Sequence, residues 1–132
     1  MEILDTHHIA IYTAQFERLR AFYTGTLGLP EVGGFEGYNI IFIAAGSTAI
    51  ELIEHNAPGV PSSELGWNHL ALEVADIDAA CAELQGRGVF FHEPPFDFPA
   101  DRPRARVAFF KDPDGNVLEL IQMYGERYPS GK

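Results

Sequence analysis

The sequence predicts an α+β protein built from two tandem βαβββ modules. Its 132 residues suffice for one domain with a buried core, and the chain repeats itself. The two copies open and close with similar segments: His8-Ile9-Ala10-Ile11 and His69-Leu70-Ala71-Leu72 open them, and Ala49-Ile50-Glu51-Leu52 and Val117-Leu118-Glu119-Leu120 close them. We assign the first module to residues 1–57, a turn-rich linker to 58–66, the second module to 67–124 and a loose polar tail to 125–132.

In the first module, alternating apolar residues predict a strand over residues 6–12. Thr13 is expected to cap a helix that Gly28 and Pro30 end. The inward face of this helix is predicted to carry Phe16, Leu19, Phe22 and Tyr23. Three strands follow, near residues 31–35, 38–45 and 48–54, with Gly46-Ser47 as the last turn.

The second module has the same predicted order. A strand over residues 68–74 leads to a helix that Asp76 caps and that Gly86 and Gly88 end. The inward residues of this helix are predicted to be Ile77, Ala80, Cys81 and Leu84. Strands follow near residues 89–92, 104–111 and 117–123, and the sequence Asp-Pro-Asp-Gly-Asn at 112–116 predicts a hairpin turn between the last two.

Composition narrows the classes of partner and location. Nineteen acidic against nine basic side chains give a net charge of −10, which disfavours nucleic acids and anionic membranes as partners. The longest apolar run, residues 40–45, is far shorter than the roughly 20 residues of a membrane span, and the N-terminus does not resemble a secretory signal. The single cysteine, Cys81, excludes an internal disulfide and predicts an inert buried thiol in a cytoplasmic protein.

Histidine and glutamate recur at matching places of the repeat. Glu51 and Glu119 each lie inside an apolar strand, where a carboxylate must either face solvent or be paired. One such glutamate alone would indicate a solvent-facing side chain. The presence of a histidine at the start of both modules favours a metal site instead. Two imidazoles and two carboxylates suit one divalent ion such as Ni, Co, Mn, Zn or Fe(II), with open positions for substrate oxygens.

These motifs resemble the vicinal oxygen chelate superfamily, which comprises the glyoxalase, bleomycin-resistance and extradiol-dioxygenase proteins. The resemblance spans residues 6–123 and includes Phe22-Tyr23 with Leu27-Gly28-Leu29, and Phe109-Phe110-Lys111-Asp112-Pro113-Asp114-Gly115-Asn116, in addition to the His and Glu segments. It implies a curved, open mixed sheet around a metal, in which the first and last strands of each module lie side by side.

The resemblance also implies the metal ligands, which lie at the start of the first strand and in the last strand of each module. They fall on His8, Glu51, His69 and Glu119. His7 competes for the first position, but His8-x-Ala10 matches His69-x-Ala71. Because strand side chains alternate, His7 is then expected on the opposite face, as a surface or core histidine.

A set of two His and two Glu resembles glyoxalase I-like members, and the methylmalonyl-CoA epimerase type is close. This implies a lyase or isomerase that acts on a small α-oxo or α-hydroxy carbonyl compound, including thiol hemithioacetals, through a metal-bound enediolate. By analogy Glu119 is the base and Glu51 the second choice. The alternatives are an Fe(II) ring-cleaving dioxygenase and a non-catalytic protein that sequesters small molecules. Small members are usually homodimers, so a homodimer is expected.

Five further residues are predicted to contact the small-molecule substrate. They are Tyr12, Glu73, Arg104, Arg106 and Phe110. The alternation of Arg102, Arg104 and Arg106 puts them on one face, where they meet either an anionic substrate or solvent. The aromatic residues are alternatively core. Bacterial glyoxalase I commonly has an arginine for the glutathione carboxylate where this chain has Tyr12, which argues against glutathione.

Overall fold

The predicted βαβββ order occurs twice in the computed structural model, which describes residues 1–60, 64–111 and 113–130. The first module contains β1 (Asp5–Thr13), α1 (Phe16–Ala21), β2 (Glu31–Gly34), β3 (Ile40–Ala45) and β4 (Thr48–Glu54). The second module contains β5 (Gly66–Glu73), α2 (Ile77–Gly86), β6 (Phe91–Phe98), β7 (Ala105–Lys111) and β8 (Val117–Met123). The α+β class is confirmed. Residues 61–63 of the predicted linker and Asp112 of the predicted turn lie outside the described residues.

Each module has a mixed sheet. The strand order is β2-β3-β4-β1 in the first module and β5-β8-β7-β6 in the second. β1 runs parallel to β4 and β5 parallel to β8, while the remaining pairs within each module are antiparallel. The expected side-by-side placement of first and last strands is therefore confirmed. Gly46 and Gly115 close the β3–β4 and β7–β8 hairpins with φ of 69° and 87°, a conformation that glycine adopts without steric cost.

Helix α1 covers one face of the first sheet. Its buried cluster consists of Ile11, Phe16, Ile41, Ile43 and Leu52, with Leu19 and Tyr23 packed against it. The helix begins after Gln15 rather than Thr13, whose hydroxyl accepts a hydrogen bond from the Gln15 N–H. A π-helical turn (Phe22–Thr26) extends it. Phe22 is 47% exposed, contrary to prediction, whereas its neighbour Tyr23 packs against the cluster.

Helix α2 covers one face of the second sheet. The Asp76 carboxylate caps it by accepting a hydrogen bond from the Ala79 N–H, as predicted. The cluster beneath it consists of Val74, Ile77, Ala80, Cys81, Phe91, Ala108 and Leu120. Burial raises the pKa of the Cys81 thiol to about 11, so the thiol stays protonated and unreactive near neutral pH.

Strand β6 is longer than the predicted 89–92 and continues through Pro94 and Pro95. The register with β7 shifts between Glu93 and Phe96, so the prolines fall at an irregularity. β6 is also the last strand of the second module's sheet order, where the missing proline N–H groups cost no pairing on the open side. The two prolines therefore interrupt the pairing without ending the strand.

The chain divides into two compact units, each of which combines two separate segments of the sequence. Residues Met1–His7 belong with His69–Arg127, whereas His8–Asn68 belong with the segment that starts at Tyr128. We call residues 127–130 the C-terminal strap. Within it, Arg127 and Tyr128 are half-buried, Pro129 is fully buried and Ser130 is exposed. No helix within the described residues is both long and apolar enough to cross a membrane.

Candidate functional site

The first His–Glu pair joins β1 and β4. The parallel register places Ala10 opposite Glu51, so His8, two residues earlier, lies on the same face as Glu51. His8 Nε2 and Glu51 Oε1 are 3.2 Å apart, and the two side chains are 2% and 11% exposed. The buried carboxylate thus has the partner that burial requires.

The second pair joins β5 and β8 in the same way. Ala71 lies opposite Glu119, which puts His69 and Glu119 on one face. His69 Nε2 and Glu119 Oε1 are 2.8 Å apart, with 5% and 4% of the side chains exposed. The repeat in the sequence is therefore a repeat in register, burial and side-chain chemistry.

The apolar pattern of the last strands explains which face carries the carboxylates. Ile50 and Leu52 of β4 pack in the cluster under α1, and Glu51 between them must face the other way. Leu120 of β8 packs under α2, and its neighbour Glu119 again faces away. Each His–Glu pair therefore lies on the sheet face that its helix does not cover.

A phenylalanine flanks each pair. Phe42 of β3 is the register partner of Glu51, and its ring centroid lies 5.5 Å from that of His8. Phe109 of β7 is the register partner of Glu119, and its ring centroid lies 5.3 Å from that of His69. Sequence analysis missed both residues. The predicted hairpin turns contained the signal, because counting back from each turn pairs each phenylalanine with its glutamate.

His7 is fully buried, and its Nε2 lies 2.7 Å from the backbone carbonyl oxygen of Arg127, to which it donates a hydrogen bond. It precedes His8 in β1 and therefore points to the opposite face. This agrees with its interpretation as a core histidine.

Two of the predicted substrate residues lie on the faces of the pairs. Tyr12 shares its face with His8, is buried, and has Ile53 of β4 as its register partner. Glu73 shares its face with His69 and pairs with Arg127 at 3.3 Å.

Arg106 and Phe110 lie on the opposite face from Glu119. Phe110 packs against the cluster under α2. The Arg106 guanidinium pairs with Asp78 of α2 at 3.1 Å and with Asp97 of β6 at 3.2 Å, and these carboxylates raise its pKa. Side chains alternate along β7, so Arg106 and Phe110 point away from His69 while Phe109 points toward it. This removes the geometric basis for predicting the two residues as substrate contacts. Arg104 precedes β7, and its N–H donates to the Phe98 carbonyl oxygen.

Comparison with known proteins agrees with this architecture. Residues 6–120 match the family described as the Glyoxalase/Bleomycin resistance protein/Dioxygenase superfamily. The chain belongs to this superfamily. The resemblance that the sequence motifs carry is thus confirmed, and members of the superfamily are commonly metal-dependent enzymes.

Three similar proteins illustrate the range of the superfamily. The Escherichia coli protein YaeR, described as uncharacterized, is 34% identical over 126 residues, which cover 89% of this chain and 95% of YaeR. A lactoylglutathione lyase from Salmonella typhimurium is 30% identical over 125 residues, covering 87% of this chain and 90% of the lyase. The structure of methylmalonyl-CoA epimerase from Mycobacterium tuberculosis superposes with a TM-score of 0.75 at 22% identity, covering 92% of this chain and 89% of the epimerase, and it shows the shared fold.

Proposed function

We propose that this protein is a divalent-metal-dependent lyase or isomerase of the glyoxalase I-like type. Its substrate would be a small α-oxo or α-hydroxy carbonyl compound. The observation that carries the proposal is the recurrence of a buried His–Glu pair, in the same register, in both modules. We further propose that His8, Glu51, His69 and Glu119 together hold one ion.

The donor atoms suit such an ion. Two ligands at right angles around an ion, each at roughly 2.0–2.2 Å, lie about 3 Å apart. The separations of 3.2 Å in the His8–Glu51 pair and 2.8 Å in the His69–Glu119 pair are close to this value. Imidazole nitrogen with carboxylate oxygen is a donor set for Zn, Ni, Co, Mn or Fe(II) rather than for Ca or Cu(I). Each pair therefore supports binding of a borderline divalent cation.

A divalent cation bound there would supply Lewis acidity, which makes a carbon next to a carbonyl group more acidic. The chain itself would then take a proton from that carbon and return it, either to the neighbouring carbon or to the opposite face of the same carbon, with no net oxidation. We propose Glu119 as the carboxylate that takes the proton and returns it, with Glu51 as the second candidate. Tyr12, on the His8 face, would contact the substrate.

The named relatives support the glyoxalase I-like type over other reactions. The Salmonella typhimurium relative is a lactoylglutathione lyase, and a Vibrio cholerae relative, 29% identical over 124 residues, is called a probable one. Hemithioacetals are therefore the first substrates to test. Tyr12 stands where bacterial glyoxalase I commonly has an arginine for the glutathione carboxylate. The substrates tested should therefore include hemithioacetals of thiols other than glutathione.

Metal titration is the first experiment. The stripped protein and its Glu119→Gln variant would be titrated calorimetrically with Ni, Co, Mn, Zn and Fe(II). We expect about one ion per chain for the wild type and weaker binding for the variant. Failure of the wild type to bind any of these ions would contradict the proposal of a metalloenzyme. It would favour the alternative of a non-catalytic protein that sequesters small molecules.

Activity is tested on the loaded protein. We expect conversion of a hemithioacetal or an acyl-CoA epimer, with incorporation of deuterium from D2O at the carbon that exchanges its proton. Because a positioned proton-transfer group contributes roughly 10²–10⁴-fold in rate, Glu119→Gln should lose about that factor. Oxygen consumption restricted to the Fe(II) form would instead identify a dioxygenase. The homodimer and the cytoplasmic location stay predictions, and sedimentation of the purified protein tests the first.

A further inference from the structure

The C-terminal strap, residues 127–130, is held in place at its beginning by polar contacts. The Arg127 guanidinium donates to the Thr6 carbonyl oxygen and pairs with Glu73 at 3.3 Å. The Arg127 carbonyl oxygen accepts a hydrogen bond from the fully buried His7 ring at 2.7 Å. The direction in which the chain leaves Arg127 is therefore constrained by contacts of both its side chain and its backbone.

The end of the strap fits against β2. The Gly34 N–H donates to the Pro129 carbonyl oxygen at 2.7 Å, and Ser130 forms a parallel bridge with Gly34. Gly33 leaves space for the strap, because a Cβ on this residue would lie 2.2 Å from the Pro129 carbonyl oxygen. The glycines of β2 thus form a surface that the strap backbone occupies.

Between these two anchors, Tyr128 of the strap packs against Phe42, the phenylalanine that flanks the first His–Glu pair. The Tyr128 ring centroid lies 5.1 Å from that of Phe42. Phe42 is fully buried, lies edge-on to His8 at 5.5 Å and is the register partner of Glu51. One ring therefore connects the strap to both members of the pair.

We propose that Tyr128 is a positioning residue that holds the His8 imidazole in its orientation through Phe42. The strap also keeps water away from His8. Packing on Phe42 from the strap side restricts its ring, and the Phe42 ring in turn restricts the rotation of His8. The part of this inference that concerns metal affinity rests on the proposed function, in which His8 is a metal ligand. Groups that orient ligating histidines typically change metal affinity by roughly 10–100-fold when they are removed.

Two variants test the proposal. Tyr128→Ala removes the ring, and its control is Tyr128→Phe. Gly33→Ala displaces the strap while keeping the tyrosine at position 128, and its control is Gly25→Ala, since a Cβ on Gly25 meets nothing within 4 Å. We expect Tyr128→Ala and Gly33→Ala to weaken Co(II) binding by roughly 10-fold or more and to alter the visible absorption of bound Co(II). Both controls should match the wild type.

A second measurement needs no metal. Diethylpyrocarbonate labelling of the apo protein, followed by tandem mass spectrometry, gives the modification rates of His8 and His69 separately. In the two test variants, the modification rate of His8 should rise severalfold and that of His69 should stay unchanged. General unfolding would instead raise both modification rates. Unchanged Co(II) affinity and unchanged His8 labelling would overturn the proposal. If the wild type binds none of the five ions titrated above, the proposed function fails, and the ratio of His8 to His69 labelling still decides the role of the strap.

Discussion

The two modules carry the same triad of histidine, glutamate and phenylalanine but surround it differently. In the first module Phe42 is fully buried, with Phe35 and Tyr128 of the strap among its ring neighbours. In the second, Phe109 is only partly buried, and its ring neighbours His92 and Phe96 come from the same module. Repetition therefore preserves the donor atoms, while their surroundings have diverged.

This difference concerns the ring beside each histidine. The Phe42 ring beside His8 is fully buried and contacts Tyr128 of the strap. The Phe109 ring beside His69 is partly exposed to solvent. A repeat can thus keep equivalent donor atoms in both copies and still surround them differently.

Loss of either histidine should have the largest effect on metal binding. If one ion takes ligands from both pairs, His8→Gln and His69→Gln should each lower Co(II) affinity by more than the roughly 10–100-fold expected of outer residues. Competition with a chelating indicator measures this, and His55→Gln, a histidine that follows β4, is the control. Wild-type affinity in either variant would show that one pair alone binds the ion.

Truncation of the two phenylalanines should affect stability unequally. Phe42→Ala empties a fully buried position, so we expect the free energy of unfolding to fall by about 3–5 kcal/mol. Phe109→Ala should cost less, because its ring is already partly in solvent. Urea unfolding of the metal-free variants gives both values. Equal losses would mean that the difference in burial has no energetic consequence.

The smallest expected effect concerns acid sensitivity in the second module. The Tyr124 hydroxyl donates to Asp97 at 2.8 Å, and this bond, helped by Arg106, lowers the pKa of the Asp97 carboxyl. A lowered pKa stabilises the folded protein above the ordinary aspartate value of about 3.9, and this contribution is lost as pH falls through the lowered value. Tyr124→Phe should raise the pKa of Asp97 in an NMR titration.

The stability difference between wild type and Tyr124→Phe should accordingly be present at neutral pH and vanish in strong acid. The Arg20–Glu31 ion pair of the first module, 2.8 Å apart, is an internal reference that this substitution should leave unchanged. A pKa of Asp97 unaffected by the substitution would assign the shift to Arg106 instead.

Much of the fold and of the candidate site could be predicted because the signals are local. Period-two alternation around Glu51 and Glu119, with a hairpin turn before each last strand, determines which side chains share a face. The same reasoning, extended to the neighbouring strand, would have found Phe42 and Phe109. The same alternation along β7 places Arg106 and Phe110 on the face opposite Phe109, which argues against their prediction as substrate contacts.

Periodicity and turn chemistry act over a few residues, so they are sufficient to predict the repeat, the hairpins and the face on which each glutamate lies. The placement of the first strand beside the last strand of each module, which joins each histidine to its glutamate, was implied by the resemblance to the superfamily. Tertiary structure decided the course of β6 through two prolines and the packing of the C-terminal strap. The polar segment at residues 127–130 has no periodic pattern. Its place depends on Arg127 meeting Glu73, and on Gly33 leaving space for Pro129. These contacts join residues far apart in the chain, so no local pattern predicts them.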